Sequence, residues 1–385
     1  MQYYGTLGPA CGSAVILEKM FEAGMTGVRM NMSHGNLDEN GHWLELLFEA
    51  AEQYWIGQER RMAAENGAES EANGTSRELG WPSANGVTRK PQVLIDLRGP
   101  ELRLGKLENE FAVEEGNLVL MGENALPVPQ MLLDYAVAGD HVLLDDGKLE
   151  FVVESVIAGD EMTDMAVPEE GLLEDALKNR EQGAMRPVKF ITTRVLRGGT
   201  VKSGKSLAIV GKELPMPTLT ESDLKNIGMA AAHGVTGVMQ PFVRNKEDLL
   251  AVRAALKAAG AEHIEIFAKI ENLQGVSALE ELLPYCDHVV IARGDLGNAM
   301  PLWELPRVQK EISAKCRAAK KPFMVVTQML DSMHERAVPT RAEVSDIYNA
   351  VLDGAASVML TGETAAGKYP VEAMEYLVRT GEEAN

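Results

Sequence analysis

Charged residues at the ends of apolar runs are the first candidates for chemistry. Lys269 and Glu271 stand two apart at the end of "IEIFAKIEN", so in an extended strand both side chains leave on one face. Asp295 follows the next apolar run in "IARGDLG", where Gly294 and Gly297 let a ligand approach the backbone closely. Thr327 ends the run after that, and Glu363 lies just past the last one. Glu271 and Asp295 offer oxygen ligands, the preference of Mg2+ or Mn2+ rather than zinc. Lys269 would supply fixed positive charge where a reacting oxyanion develops. A buried ion-pair network that serves folding is the competing account. It suits one such pair better than four polar residues at four successive run ends.

The N-terminal segment adds "GVRMNMSHG". Arg29 and Asn31 share a strand face there, and Ser33 and His34 follow in the loop. The forked donors of Arg29 suit a phosphate, whereas His34 alone is as readily structural as functional. "IDLRGPELRLG" places Asp96, Glu101 and Arg103 at the end of another run. Asn31, Ser33 and Asp96 together offer oxygens without much charge, which suits a monovalent cation.

These residues need elements to position them. From about residue 220 the chain alternates short apolar runs with amphipathic stretches. The runs are "VTGVMQPFV", "IEIFAKIEN", "DHVVIARGDLG", "PFMVVTQML" and "ASVMLTGETA". The pattern predicts βα units around a parallel sheet buried on both faces. "YYGTLG", "GVRMN" and "QVLIDL" add three strands near the start. Eight units fit an α/β fold closed as a (β/α)8 TIM barrel, with its active site at the C-terminal strand ends. An open doubly wound sheet fits less well.

Residues 98–212 break the rhythm with short alternating strands and turn signals, as in "LLDDGKLEFVVE" and "FITTRVLRGG". They read as a β-rich domain inserted after the third barrel strand, leaving 1–97 and 213–385 for the barrel. A second interruption, about 57–90, is rich in Gly, Asn, Glu and Ser and reads as a solvent-exposed, mobile insertion.

Composition narrows the function classes. The 385 residues are 45% hydrophobic and 24% charged, the profile of a globular protein of more than one domain. A formal net charge of −20 argues against nucleic acid and anionic membrane as partners. Any anionic substrate must then be caught by local positive charge. Cys11, Cys286 and Cys316 form no CxxC pair, which argues for a reducing compartment. With no signal peptide or membrane-length run visible, a cytoplasmic location is expected.

"GGTVKSGKS" (198–206) matches the G-x-x-x-x-G-K-S phosphate loop when read from Gly199. That loop must open a helix. The residues after Ser206 are "LAIVGKELPMP", with a Gly, two prolines and no helical periodicity, so the match is coincidental as a fold motif.

"TLGPA", "GVRMNMSHG", "DLRGPELRLG", "DDGKLEF", "LPMPTLTESD", "AKIENLQG", "ARGDLG", "TQMLDSM", "PTRAEVSD" and "TGETAAGKYP" occur in order. The set resembles the pyruvate kinases from Thr6 to about Val378, across the barrel and the inserted domain. The resemblance implies phosphoryl transfer from phosphoenolpyruvate to ADP, giving pyruvate and ATP. It implies that Lys269 stabilises the transferring phosphoryl group and the enolate, while Glu271 and Asp295 hold Mg2+. Gly294, Asp295 and Thr327 would hold the substrate carboxylate, and Arg29 its phosphate. Asn31, Ser33, Asp96 and the carbonyl of Leu97 would hold K+, and Glu101 stands where K+-dependent members carry Glu.

Arg103, His34 and Asn31 would face the nucleotide. So would Lys205, or else Lys202, on an inserted domain that closes as a lid. Thr361 stands in for a family Ser and keeps the hydroxyl that a proton relay to the enolate needs. Leu97 and Arg98 replace Thr and Lys, and Ala366 replaces Lys. The C-terminal domain usual in the family does not follow, so effector control through it is not expected. A homodimer through barrel helices stays compatible. Two other readings are an aldolase-type metal-dependent barrel enzyme of pyruvate or enolate chemistry, and a non-catalytic metabolite sensor.

Overall fold

In the computed structural model the described residues are 1–33, 35–65, 83–84, 87–88, 90–99, 101–122, 125–145, 147–158, 189–212 and 214–384. The eight apolar runs form eight parallel strands closed into a barrel. In chain order they are Gln2–Thr6, Gly27–Asn31, Gln92–Asp96, Gly237–Gln240, Glu265–Ile270, His288–Ala292, Phe323–Val326 and Ser357–Met359. Each pairs with its neighbours in sequence order, and the first closes on the eighth through Gln2–Ser357, Tyr3–Val358 and Tyr4–Met359.

Strand alternation divides the apolar side chains into two cores. Tyr4, Leu94, Met239, Phe267, Val290, Met324 and Met359 pack together inside the barrel. Val28, Val93, Ile95, Val238, Ile266, Val289, Val325 and Val358 belong to the larger core against the helices. Each fully buried side chain of this size contributes roughly 1.5–3 kcal/mol. Gly237 belongs to the inner packing, since a Cβ there would meet Leu94 Cδ2 and Phe267 Cε2 at 2.6 Å each. The alternation also fixes the site. Asp96 and Lys269 lie two residues beyond the inward Leu94 and Phe267, so each continues the inner face to the C-terminal rim.

Two compact units emerge, Met1–Gly99 with Thr218–Asn385, and Pro100–Pro217. The second enters after the third barrel strand. It carries an antiparallel six-stranded sheet in the order Leu102–Arg103, Ser206–Ile209, His141–Leu144, Leu149–Ala158, Lys189–Arg197, Leu118–Gly122. Its own core holds Leu102, Val142, Leu144, Phe151, Ile191, Val195 and Leu207.

In the barrel unit, one carboxylate gathers the chain on both sides of the insertion. Asp223 is fully buried and accepts from Arg98 N (2.8 Å), Gly99 N (3.2 Å), Thr220 N (2.9 Å) and Thr220 Oγ1 (2.7 Å). With Thr220 it forms the capping box of helix Glu221–Ala230.

The 57–90 insertion lies largely outside the described residues. Helix Gly41–Glu65 runs on into its first part, further than composition indicates. Among the described residues no helix is long and apolar enough to cross a membrane.

Candidate functional site

Four charged side chains from three barrel strands and the loop edge form a chain at the rim. Arg29 donates to Asp96 Oδ2 from Nε at 2.9 Å and from Nη2 at 2.6 Å. Lys269 Nζ donates to both Asp96 oxygens at 3.1 Å and stands 2.9 Å from Glu271 Oε1. Glu271 Oε2 also accepts from the backbone N of Phe242 at 2.8 Å. Asp96 and Glu271 are buried, and Lys269 and Arg29 nearly so.

Burial and charge oppose one another here. Burial would raise the Asp96 carboxyl, but the Lys269 and Arg29 cations outweigh it and hold it below the usual carboxylate range. Burial would lower the Lys269 ammonium, but Asp96 and Glu271 more than reverse this and keep it protonated. For Glu271 burial prevails. Lys269 opposes it, Asp295 and Asp96 reinforce it, and the carboxyl rises to about 7. Three carboxylates and two cations thus act on one another here, and the raised Glu271 carboxyl records the deficit.

A divalent cation would relieve that deficit. Among the described residues no three His, Cys, Asp or Glu converge as a closed metal cage. Two carboxylates are what Mg2+ commonly takes from a protein, leaving its other positions to water and substrate oxygens, so the donor set fits. The residues named for a monovalent cation lie at and just beyond the ends of two neighbouring strands. Asn31 pairs with Asp96 in register, and Met32 N donates to Asp96 O at 2.9 Å. Asn31 Oδ1 accepts from Ser33 N at 3.1 Å. Leu97 is buried and its N donates to Met239 O. His34 lies outside the described residues.

The ends of the fourth and seventh barrel strands carry unusual backbone. Thr327 and Gln328 have φ of 77° and 54°, and Phe242 has 53°. Left-handed backbone at non-glycine residues is costly, of the order of 1–3 kcal/mol each, and clusters at sites that use it. A Cβ on Gly294 would stand 3.1 Å from Thr327 Cγ2, so the short helix Arg293–Asn298, which carries Gly294 and Asp295, touches the Thr327 turn. Thr361 is held from below. Buried Glu363 accepts from Thr361 N (2.7 Å), Thr361 Oγ1 (3.1 Å) and Leu330 N (3.1 Å), tying the loops after the seventh and eighth strands together.

In the inserted unit, Arg103 at a strand end meets Lys205 in the turn that precedes the adjacent strand. Leu104 N donates to Lys205 O at 2.8 Å, and Arg103 Nη1 to Gly204 O at 2.8 Å. Arg103 pairs with Glu101 at 2.5 Å and Lys205 with Asp145 at 2.9 Å, while Lys202 pairs with Glu110 at 3.1 Å. "GGTVKSGKS" passes from strand Gly199–Val201 through a turn into strand Ser206–Ile209, so no helix follows it and a phosphate loop is excluded.

Sequence reasoning assigned no role to Phe242, whose N–H holds Glu271, or to Arg293, whose guanidinium holds the Thr327 turn. "ARGDLG" was a visible signal for Arg293, but its direction was not. Phe242 lay inside an apolar run and offered none.

The fold and rim together define a (β/α)8-barrel protein with a cationic and acidic C-terminal mouth. Residues 172–374 match the family model described as pyruvate kinase, barrel domain. The chain is 35% identical over 379 residues to the pyruvate kinase of Geobacillus stearothermophilus, covering 96% of this chain and 54% of the relative. It is 34% identical over 382 residues to that of Aeropyrum pernix, covering 98% and 69%. For that of Mycobacterium tuberculosis (strain CDC 1551 / Oshkosh) the identity is 33% over 383 residues, covering 97% and 68%. The chain belongs to the pyruvate kinase family. It spans about half the length of the Geobacillus relative and about two thirds of the other two. These likenesses do not favour the aldolase-type or sensor readings.

Proposed function

We propose that the chain catalyses phosphoryl transfer from phosphoenolpyruvate to ADP. The observation that carries the reading is Lys269, held at the barrel rim between buried Asp96 and Glu271. In this reading Arg29 binds the substrate phosphate, and Gly294, Asp295 and Thr327 bind its carboxylate. The bond between phosphorus and the enolate oxygen breaks as the ADP oxygen attacks. Lys269 offsets charge on the phosphoryl oxygens and on the enolate left behind, which is most of what this transfer asks of a protein. The Thr361 hydroxyl relays a proton to the enolate carbon, oriented by Glu363. Arg103 and Lys205 of the inserted unit, or Lys202 in place of Lys205, meet the nucleotide, with Asn31 and His34 from the barrel.

Glu271 and Asp295 would hold Mg2+, which would supply positive charge against the phosphate groups. K+ would sit on Asn31, Ser33, Asp96 and the carbonyl of Leu97. The family name supports both ions, and the family's soluble glycolytic setting supports a cytoplasmic enzyme. A homodimer through barrel helices is part of the proposal.

The test is pyruvate formation from phosphoenolpyruvate and ADP at saturating Mg2+, with and without K+. Turnover is expected only with both ions, and no pyruvate with both present refutes the reading. A second readout needs no turnover. Mg2+ is expected to raise Tm, since a ligand at a hundredfold its Kd stabilises by about 2.7 kcal/mol. The rise should vanish in Glu271→Gln, and an equal rise in that variant would remove Glu271 from the metal site.

A further inference from the structure

The Arg293 side chain is nearly buried and reaches away from its own loop. Its Nε and Nη2 donate to Thr327 O at 3.1 and 2.7 Å, and Nη2 also reaches Gln328 O at 3.3 Å and Met329 Sδ at 2.9 Å. Nη1 donates to Asp346 Oδ2 at 2.6 Å, on helix Arg341–Leu352. One planar fork therefore gathers two successive carbonyls, and they are those of the two consecutive left-handed residues, Thr327 and Gln328.

We propose that Arg293 is a positioning residue that holds Thr327 in its left-handed turn and so sets the substrate-carboxylate pocket. The proposal rests on the reading of Thr327 and Gly294 as the carboxylate site. Arg293 immediately precedes Gly294 and Asp295. Its backbone opens the short helix Arg293–Asn298 while its side chain fixes the Thr327 turn, so the two are kept in step. The 3.1 Å approach of Thr327 Cγ2 to the Cβ direction of Gly294 leaves little room for a shift of the turn. Asp346 holds the guanidinium from behind. Lysine keeps the charge but presents no planar fork, so it cannot reproduce contacts to both carbonyls and to Asp346.

The experiment compares wild type, Arg293→Lys, Asp346→Asn and Arg293→Lys with Gln328→Gly. Arg293→Lys is expected to raise the KM for phosphoenolpyruvate about tenfold, the scale of one lost charge-assisted contact, with the KM for ADP unchanged. Asp346→Asn should shift the same constant in the same direction by less. Adding Gln328→Gly should lower that KM again, because glycine adopts positive φ without support. An unchanged KM for phosphoenolpyruvate, an equal rise in both KM values, or no recovery with glycine overturns the proposal.

Hydrogen exchange across 327–329 provides a readout independent of turnover. It should quicken in Arg293→Lys and slow again with Gln328→Gly, and identical exchange in all variants also overturns the proposal. If wild type forms no pyruvate, the functional reading fails while exchange still decides the role of Arg293.

Discussion

Lys269→Met is expected to reduce turnover with phosphoenolpyruvate and ADP by about a thousandfold or more, near 4 kcal/mol of transition-state stabilisation. The lysine is already in position. Its ammonium is fixed by three contacts to Asp96 and Glu271, so little reorganisation is needed when charge develops beside it. Methionine keeps the length and apolar stem and removes only the charge. Asp96 keeps Arg29, but Glu271 loses its nearest cation while burial continues to raise its carboxyl. That carboxyl then takes up a proton near neutral pH when no metal is bound, which limits the stability loss to less than the 3–5 kcal/mol typical of a broken buried pair. The steady-state rate and the melting curve should be measured together. A rate within tenfold of wild type, with a normal melt, removes Lys269 from the proposed role.

Asp223→Ala is expected to cost about 3–5 kcal/mol in stability. Four hydrogen bonds to one buried carboxylate disappear together, each worth roughly 0.5–1.5 kcal/mol net. One of the four, from Thr220 N, is also the Asp223 half of the capping box of the following helix. The backbone N–H of Gly99 loses its carboxylate partner, which alanine cannot replace. Thermal unfolding and limited proteolysis test this. Cleavage should appear near Gly99 and near Thr220 at temperatures where wild type resists. An unchanged melt with an unchanged cleavage pattern would show that the clasp carries no stability.

The barrel was legible because its strands are buried on both faces, so each appears as a short apolar run followed by an amphipathic stretch. The rim was legible for the same reason. A lysine or aspartate at the end of such a run, as with Lys269 and Asp96, is conspicuous and its face follows from alternation. What escaped depends on tertiary context. Thr327 and Gln328 are not residues that announce positive φ, and the guanidinium that binds their carbonyls comes from Arg293, after a different strand. Phe242 looked like the tail of a strand, yet its amide turns onto Glu271. Asp223 was given no role in the sequence, because its bonds to Arg98 and Gly99 span more than a hundred positions. The extent of helix Gly41–Glu65 was hidden by a polar composition that signals solvent rather than a break.

The clasp at Asp223 also bears on how the chain reaches its fold. Val93 and Thr236, beside paired strands, are 143 positions apart, a separation that slows folding when the intervening chain is loose. That chain carries its own apolar core and is synthesised before the fourth barrel strand. Once it has condensed, Arg98, Gly99 and Thr220 need only a local search to meet on one carboxylate, and the third and fourth strands become near neighbours. The topology predicts that the inserted unit folds first and the barrel closes last, and pulse-labelled hydrogen exchange during refolding should protect Phe151 and Ile191 before Val93 and Val238; the reverse order would overturn this.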